Sequence, residues 1–455
     1  MPPLTDRVSS ATVEAKTPTR PAWSTSDFGS TRRFYLWMLL PVGLASLIQA
    51  FYLGDVHRTL SHNGDATYYD LQAKLLTEGY WFVNPYDFAW KATIAPSATH
   101  PPLTTLFLAL VDELGATTWT WHMVTMAIVF VACVLVCGTV GRALAGDRAG
   151  IIAAVVVASY PYLWVNPGAV LPETIELLLV ALALSAAVRY WKRPQGRTAG
   201  ELGGYLALAI LTRSELILLI FLVGVPLVVL VGGRSPTGRL KHLAIMVSVI
   251  VVFVGPWVGR NLVTFHHPEV LSSEGGVTLE TANCNATYYG PAIGSWSFAC
   301  DNAQVRPGAD ESDMDLAARQ AGEHYIETHK ARLVEVVAVR VLRVWNIYRP
   351  FQQAAFDESN ARPLSVSEAG TISFYILAPF AAGGLWALHR RRVPVFPLVA
   401  LLATATLAGA AFFANGRYRA EGDLAVAILA GIGIDVLVGH YLRRVTAGQS
   451  ADGER

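Results

Sequence analysis

The sequence predicts an all-α integral membrane protein with about ten transmembrane helices and two long extracytoplasmic loops that contain interfacial helices. Three observations predict it. Of 455 residues, 53% are hydrophobic and only 15% charged. Apolar runs of near-span length recur along the chain, and basic residues gather in alternate connections between them.

Residues 1–31 are rich in Pro, Ser and Thr with no apolar period, which predicts a disordered cytoplasmic tail. The first apolar run, 34–53, is too long for a signal-peptide core and lacks a small-residue cleavage site, so it stays as an anchor. Further spans are expected at 121–140, 149–165, 174–190, 202–213, 215–232, 243–263, 370–388, 394–414 and 423–441. The pair across 202–232 is short and interrupted by "TRSE". Arg32 and Arg33, "GRALAGDR", "WKRPQGR", "GGRSPTGRLKH", "HRRR" and "YLRR" then fall on one side. That side is the cytoplasm, with both termini in it and 442–455 as a second tail. The excess of Arg over Lys and the abundance of Ala, Val and Gly point to a GC-rich bacterial genome, hence a multi-pass protein of a bacterial cell membrane.

The opposite side carries 54–120 and 264–369, which hold most of the acids. The chain thus divides into a membrane module (32–265) with a first outer loop, a second outer loop (266–369) and C-terminal helices (370–441). "ARLVEVVAVRVLRVWNIY" (331–348) is apolar enough to suggest another span. Arg340 and Arg343 lie inside it and counting it would put "HRRR" outside, so an interfacial helix fits better. "LTTLFLALVDEL" (103–114) is too short to cross and suits a juxtamembrane helix.

Cys133 and Cys137, one helical turn apart in a span, read as small buried apolar residues. Cys284 and Cys300 share the second outer loop, where an oxidising compartment would pair them. The net charge of +1 carries no nucleic-acid signal. No Gly-rich phosphate loop appears, and no metal-ligand spacing: the adjacent pair His266 and His267 is a poor chelate and reads as a solvated turn.

What remains is polar and outward. In "GDATYYDLQAKLLTEG" (64–79), Tyr69, Ala73, Leu76 and Tyr80 form the apolar stripe of a short surface helix, with Asp65 at its N-cap. Asp65 can cap that helix, serve as a general base, or both. "THPPL" (99–103) holds His100 before a helix start, as a simple turn or as a substrate contact. In "WVNPGAVLPETIE" (164–176), Glu173 opens the fourth span where the helix dipole favours a carboxylate, as an ordinary helix-start acid or as a second catalytic one. "LTRSELI" puts Arg213 near the outer surface, to pair with Glu215 or to bind a lipid phosphate. "NGRYRAEGD" (415–423) places Arg417, Tyr418 and Arg419 outside, breaking the charge rule locally in a way that a phosphate partner would explain.

The order of these motifs, "GDATYY", "HPPL" before "LFLAL", "GRALAGDRAG", "LPETIELLL", "PWVGRN" (256–261) and "GRYR", resembles the GT-C fold glycosyltransferases across roughly 34–441. Within that fold the chain is most similar to the protein O-mannosyltransferase-like and lipid A aminoarabinose transferase-like branch. The resemblance implies a sugar donor on a polyprenyl phosphate, a glycan, lipid or protein hydroxyl acceptor on the outer face, and inversion at the anomeric carbon. It makes Asp65 the general base, matches Glu173 to the second-loop acid, and offers Arg213, Arg417 and Arg419 for the leaving phosphate. Beside these, Tyr69, His100 and Tyr418 are further candidate substrate contacts. The family often has Asp-Glu at the first acid, where this chain has Asp65-Ala66. A divalent metal occurs in some GT-C enzymes, but the sequence shows no ligand set for one. A lipid flippase or small-molecule transporter is the rival class; it would bring an internal repeat and midplane ionisable residues, and no repeat relates the two halves.

Overall fold

The computed structural model of the chain describes residues 30–59, 64–231, 235–301 and 308–452. The expected disordered tail lies almost wholly outside them. Helices account for nearly all regular structure, with one isolated bridge between Val83 and Pro96 among the described residues.

Helix α1 (Thr31–Thr59) leads into a first loop built from α2 (Asp65–Thr77), α3 (Pro85–Lys91) and α4 (Leu103–Glu113). Next come α5 (Trp119–Ala145), the broken series α6 (Asp147–Ser159), α7 (Pro161–Trp164) and α8 (Asn166–Ala169), and then α9 (Glu173–Lys192) and α10 (Gly196–Ile210). A 3₁₀ turn and a π turn precede α11 (Val225–Val231), and α12 (Pro236–Thr264) enters the second loop. That loop folds as α13 (Gly275–Ala282), α14 (Asn285–Tyr288), α15 (Glu311–Thr328), α16 (Lys330–Val344) and α17 (Pro350–Phe356). Helices α18 (Leu364–Arg390), α19 (Phe396–Ala411) and α20 (Ala420–Asp452) close the chain.

All ten expected runs are helical. Among the described residues, seven segments are long and apolar enough to cross a membrane: Thr31–Asp55, Trp119–Ala145, Glu173–Lys192, Ser214–Val231, Pro236–Thr264, Leu364–Arg390 and Gly416–Leu442. The run at 149–165 bends by 63° where α6 meets α7. Tyr160 is extended there (φ −77°, ψ 115°), as a residue before proline prefers to be. The other two runs, α10 and α19, have 15 and 16 residues. Small residues let the helices approach: a Cβ on Gly384 of α18 would overlap the Leu429 carbonyl of α20, and one on Gly433 the Phe380 carbonyl.

Two expectations about the outer segments change. The α2 helix buries Tyr68, Asp70 and Gln72 as well as Tyr69 and Ala73, because α4 packs on it. Its N-cap is Gly64, at φ 63°, a left-handed conformation that suits glycine; Asp65 is the first helical residue and makes no cap bond. The stretch 331–348 is helical over Lys330–Val344, as expected, but its arginines turn into the protein. Arg340 and Arg343 are buried and donate to the carbonyls of Ala282, Pro291 and Ile293, holding α16 against the segment that the Cys284–Cys300 disulfide closes. The last helix runs on to Asp452, through most of the stretch expected as a tail.

Candidate active site

Five connections converge at one end of the bundle. Asp65 comes from α2, His100 from the turn before α4, Glu173 from the start of α9, Arg213 from the turn after α10, and Arg417 from the turn before α20. Arg417 links the acids: its Nη1 donates to Asp65 Oδ2 at 2.6 Å and its Nε to Glu173 Oε1 at 2.6 Å. Arg213 donates to the same Glu173 oxygen, and through Nε to Glu215 Oε1 at 2.6 Å. The Tyr418 ring covers the Arg213 guanidinium, 4.9 Å from Cζ to the ring centre. Glu173 is fully buried, whereas a third of the Asp65 side chain is exposed. Burial raises the pKa of Asp65, but the Arg417 charge, with His100 and Arg213 behind it, outweighs that and holds the carboxyl below the usual range.

His100 is set by the two prolines after it and by stacking on Tyr69, centroid to centroid 4.8 Å. Its Nδ1 lies 3.1 Å from Glu274 and its Nε2 3.8 Å from Asp65 Oδ1. Burial opposes a charged imidazole, yet Glu274 and Asp65 prevail and raise the His100 pKa. Donor atoms of Asp65, His100 and Glu274 all lie within 4.8 Å of one another, a mixed N/O set suited to a divalent cation. Sequence reasoning missed Glu274. It stands alone among serines and glycines in "SSEGG", and nothing local links it to "THPPL".

Not every expected residue joins the cluster. Arg419 is fully buried on the other side of its turn, bonded to Asp423 and to the Val344 carbonyl, inside a cage of Tyr162, Trp345 and Phe374. The 3₁₀ geometry of Gly416–Arg419 separates them: with three residues per turn, position 419 does not share the face of 417. The other acid of α2, Asp70, faces away from the cluster, bonded to Lys74 at 2.6 Å and 3.0 Å from His122, which in turn reaches Asp112. His266 and His267, expected as a solvated turn, both approach the Asp313 carboxylate at the exposed start of α15.

Sequence missed two further neighbours. Arg362 is buried beside the Arg417 turn and donates to Asn166 Oδ1 at 2.7 Å. Glu311, from the second loop, bonds to the segment just before His100. Both belong to regions without periodic pattern or motif.

The profile of the family described as dolichyl-phosphate-mannose-protein mannosyltransferase matches residues 99–258. No curated protein matches the chain significantly in sequence. Among solved structures, the apo oligosaccharyltransferase of Archaeoglobus fulgidus is 13% identical with a TM-score of 0.53, covering 94% of this chain and 53% of that one. The archaeal AglB from the same organism, in complex with an inhibitory peptide and a dolichol-phosphate, is 15% identical at a TM-score of 0.50, covering 92% and 52%. ArnT from Cupriavidus metallidurans bound to undecaprenyl phosphate is 18% identical at a TM-score of 0.39, covering 88% and 77%. The chain spans about half the length of the Archaeoglobus protein. With an all-helical architecture shared across nine-tenths of its length, the chain has the fold of the GT-C glycosyltransferases.

Proposed function

We propose that the protein is a membrane glycosyltransferase that moves a sugar from a polyprenyl-phosphate donor to a hydroxyl acceptor at the extracytoplasmic membrane surface. The observation that carries this reading is Arg417 bridging Asp65 and Glu173 where apolar helices meet the two outer loops. A carboxylate base and a phosphate-binding cation are thereby a hydrogen bond apart, at the end of a bundle of apolar helices with exposed hydrophobic side chains. The archaeal oligosaccharyltransferase of the same fold was captured with dolichol-phosphate and an inhibitory peptide, which supports a polyprenyl-phosphate donor.

In this reading Asp65 takes the proton of the acceptor hydroxyl as its oxygen bonds to the anomeric carbon. The bond from that carbon to the phosphate oxygen breaks, its electron pair leaves with the polyprenyl phosphate, and the configuration inverts. Arg417 and Arg213 stabilise the phosphate as charge develops on it. Because Arg417 is occupied by carboxylates in the free protein, the donor phosphate competes for it, and donor arrival frees Asp65 to act. Glu173 holds both arginines in place, while Tyr69 stacks on His100 and Tyr418 covers Arg213. Asp65, His100 and Glu274 would hold a divalent cation, which could assist the same phosphate as a Lewis acid.

Native mass spectrometry of the purified protein with a defined polyprenyl-phosphate sugar tests the proposal. A one-to-one complex is expected, followed by appearance of free polyprenyl phosphate when a hydroxyl acceptor is supplied. Absence of any complex would reject it.

A further inference from the structure

Glu311, the first residue of α15, is buried and accepts four hydrogen bonds. Its Oε2 receives the Ala98 amide at 2.8 Å and the Ser273 hydroxyl at 2.8 Å. Its Oε1 receives Asn84 Nδ2 at 3.0 Å and the Thr99 hydroxyl at 3.2 Å. The donors belong to three segments: Asn84 before α3, Ala98 and Thr99 before α4, and Ser273 before α13. Thr99 directly precedes His100, and Ser273 directly precedes Glu274. Those segments are also joined to each other: the Ser273 amide donates to the Ala98 carbonyl at 2.9 Å and the Ser272 hydroxyl to the Thr99 carbonyl at 2.5 Å. Arg260, at the end of α12, donates to the carbonyls of Ser97 and Phe82 and fixes the same turn from the membrane side.

A carboxylate offers acceptor capacity for about four such bonds, and here three of the four go to groups one or two residues before His100 and Glu274. We infer that Glu311 is a positioning residue: it aligns the His100 and Glu274 segments so that both side chains face Asp65. Glu311 touches neither substrate nor the reacting atoms in this arrangement and acts through His100 and Glu274. The geometric claim stands on the contacts alone, and its kinetic consequence rests on the glycosyltransferase reading above. No neutral side chain of the same shape replaces it. In Glu311→Gln, one acceptor oxygen becomes an amide nitrogen that faces one N–H donor and one hydroxyl; the hydroxyl can turn to accept, but the N–H donor, Asn84 Nδ2 or the Ala98 amide, loses its acceptor.

The test reads position without requiring activity. His100 is largely buried, so its modification by diethyl pyrocarbonate, followed by peptide mass mapping, is slow in the wild-type protein. In Glu311→Gln, His100 should react faster by about tenfold or more, the population change that loss of a hydrogen bond to a charged group allows. His122, fully buried between Asp70 and Asp112, should stay protected and so exclude general unfolding. The double variant Thr99→Val, Ser273→Ala keeps the carboxylate, removes two donors and should show the same effect should Glu311→Gln fold poorly. In the kinetic arm, kcat should fall by about 10²-fold, the scale of a misplacement near 1 Å, with donor affinity unchanged. A wild-type modification rate at His100 in both variants overturns the inference, as does wild-type kcat in both. Wild-type protein that binds no donor rejects the proposed function instead and leaves the His100 result to decide this inference on its own.

Discussion

Asp65 and Arg417 stand 352 positions apart in the chain and form an ion pair of 2.6 Å that joins the first outer loop to the last. Arg417 extends the same guanidinium to the fully buried Glu173. The acid nominated as a base and the arginine nominated for phosphate therefore restrain each other in the free protein.

The base hypothesis is separable from a structural one. Gly64 is the N-cap, so Asp65→Asn removes no capping bond, and its amide oxygen can still accept from Arg417. Folded protein with near-normal donor binding and transfer reduced by about 10²–10⁴-fold is expected. Retention of most transfer activity with a defined polyprenyl-phosphate sugar would assign the proton to another group.

Arg417→Ala should weaken donor binding by about 10- to 100-fold, the loss of a hydrogen bond to a charged group. It also strips a partner from a buried carboxylate, a change that costs about 3–5 kcal/mol when nothing compensates. Arg213 still bonds Glu173, so the cost should fall below that range. Titration of donor binding alongside thermal unfolding separates the two effects, and unchanged donor affinity would move the phosphate site to Arg213.

Cys284 and Cys300 close a 16-residue separation, for which removing the cross-link costs about 3 kcal/mol in the chain-entropy model. Non-reduced peptide mapping should find them linked in protein taken from its native membrane. The Cys284→Ser, Cys300→Ser variant should unfold at lower temperature, with the loss concentrated in proteolytic cutting between 265 and 363.

Glu269 supplies a pH dependence. Burial, aided by the nearby Asp315, lifts its carboxyl from 4.5 to about 7. The folded state therefore binds a proton here that the unfolded state has released, and this contribution to stability is present at acid pH and declines as pH rises from 4.5 through 7. Glu269→Gln should flatten that decline in unfolding temperature measured from pH 5 to 8. A slope identical to wild type would show that Glu269 titrates as an exposed carboxyl.

Much of the site was legible because its residues open or close helices at one end of the bundle. Charge sidedness put Asp65, Glu173, Arg213 and Arg417 on one face before any coordinates, since a bilayer sorts connections by their basic residues. Arg419 misled for a local reason: two arginines two positions apart look equivalent in a loop, and only the 3₁₀ turn sends one to the site and the other into an aromatic cage. Asp65 as a cap was misplaced by a single residue, because the glycine before it takes the left-handed conformation.

By itself the sequence determined the helical class, the positions of the apolar runs, the placing of Asp65 and Glu173 at one end of the bundle and the pairing expected of Cys284 with Cys300. Each depends on local composition or period, which a chain carries wherever it folds. The tertiary structure alone decided that Glu274 comes within reach of His100, that Glu311 gathers the segments before both, that Arg362 lies beside the Arg417 turn, and that Asp70 turns away toward His122. Those contacts join segments separated by whole helices, and their partners are set by how the bundle and its two loops pack, for which no spacing along the chain is a signal.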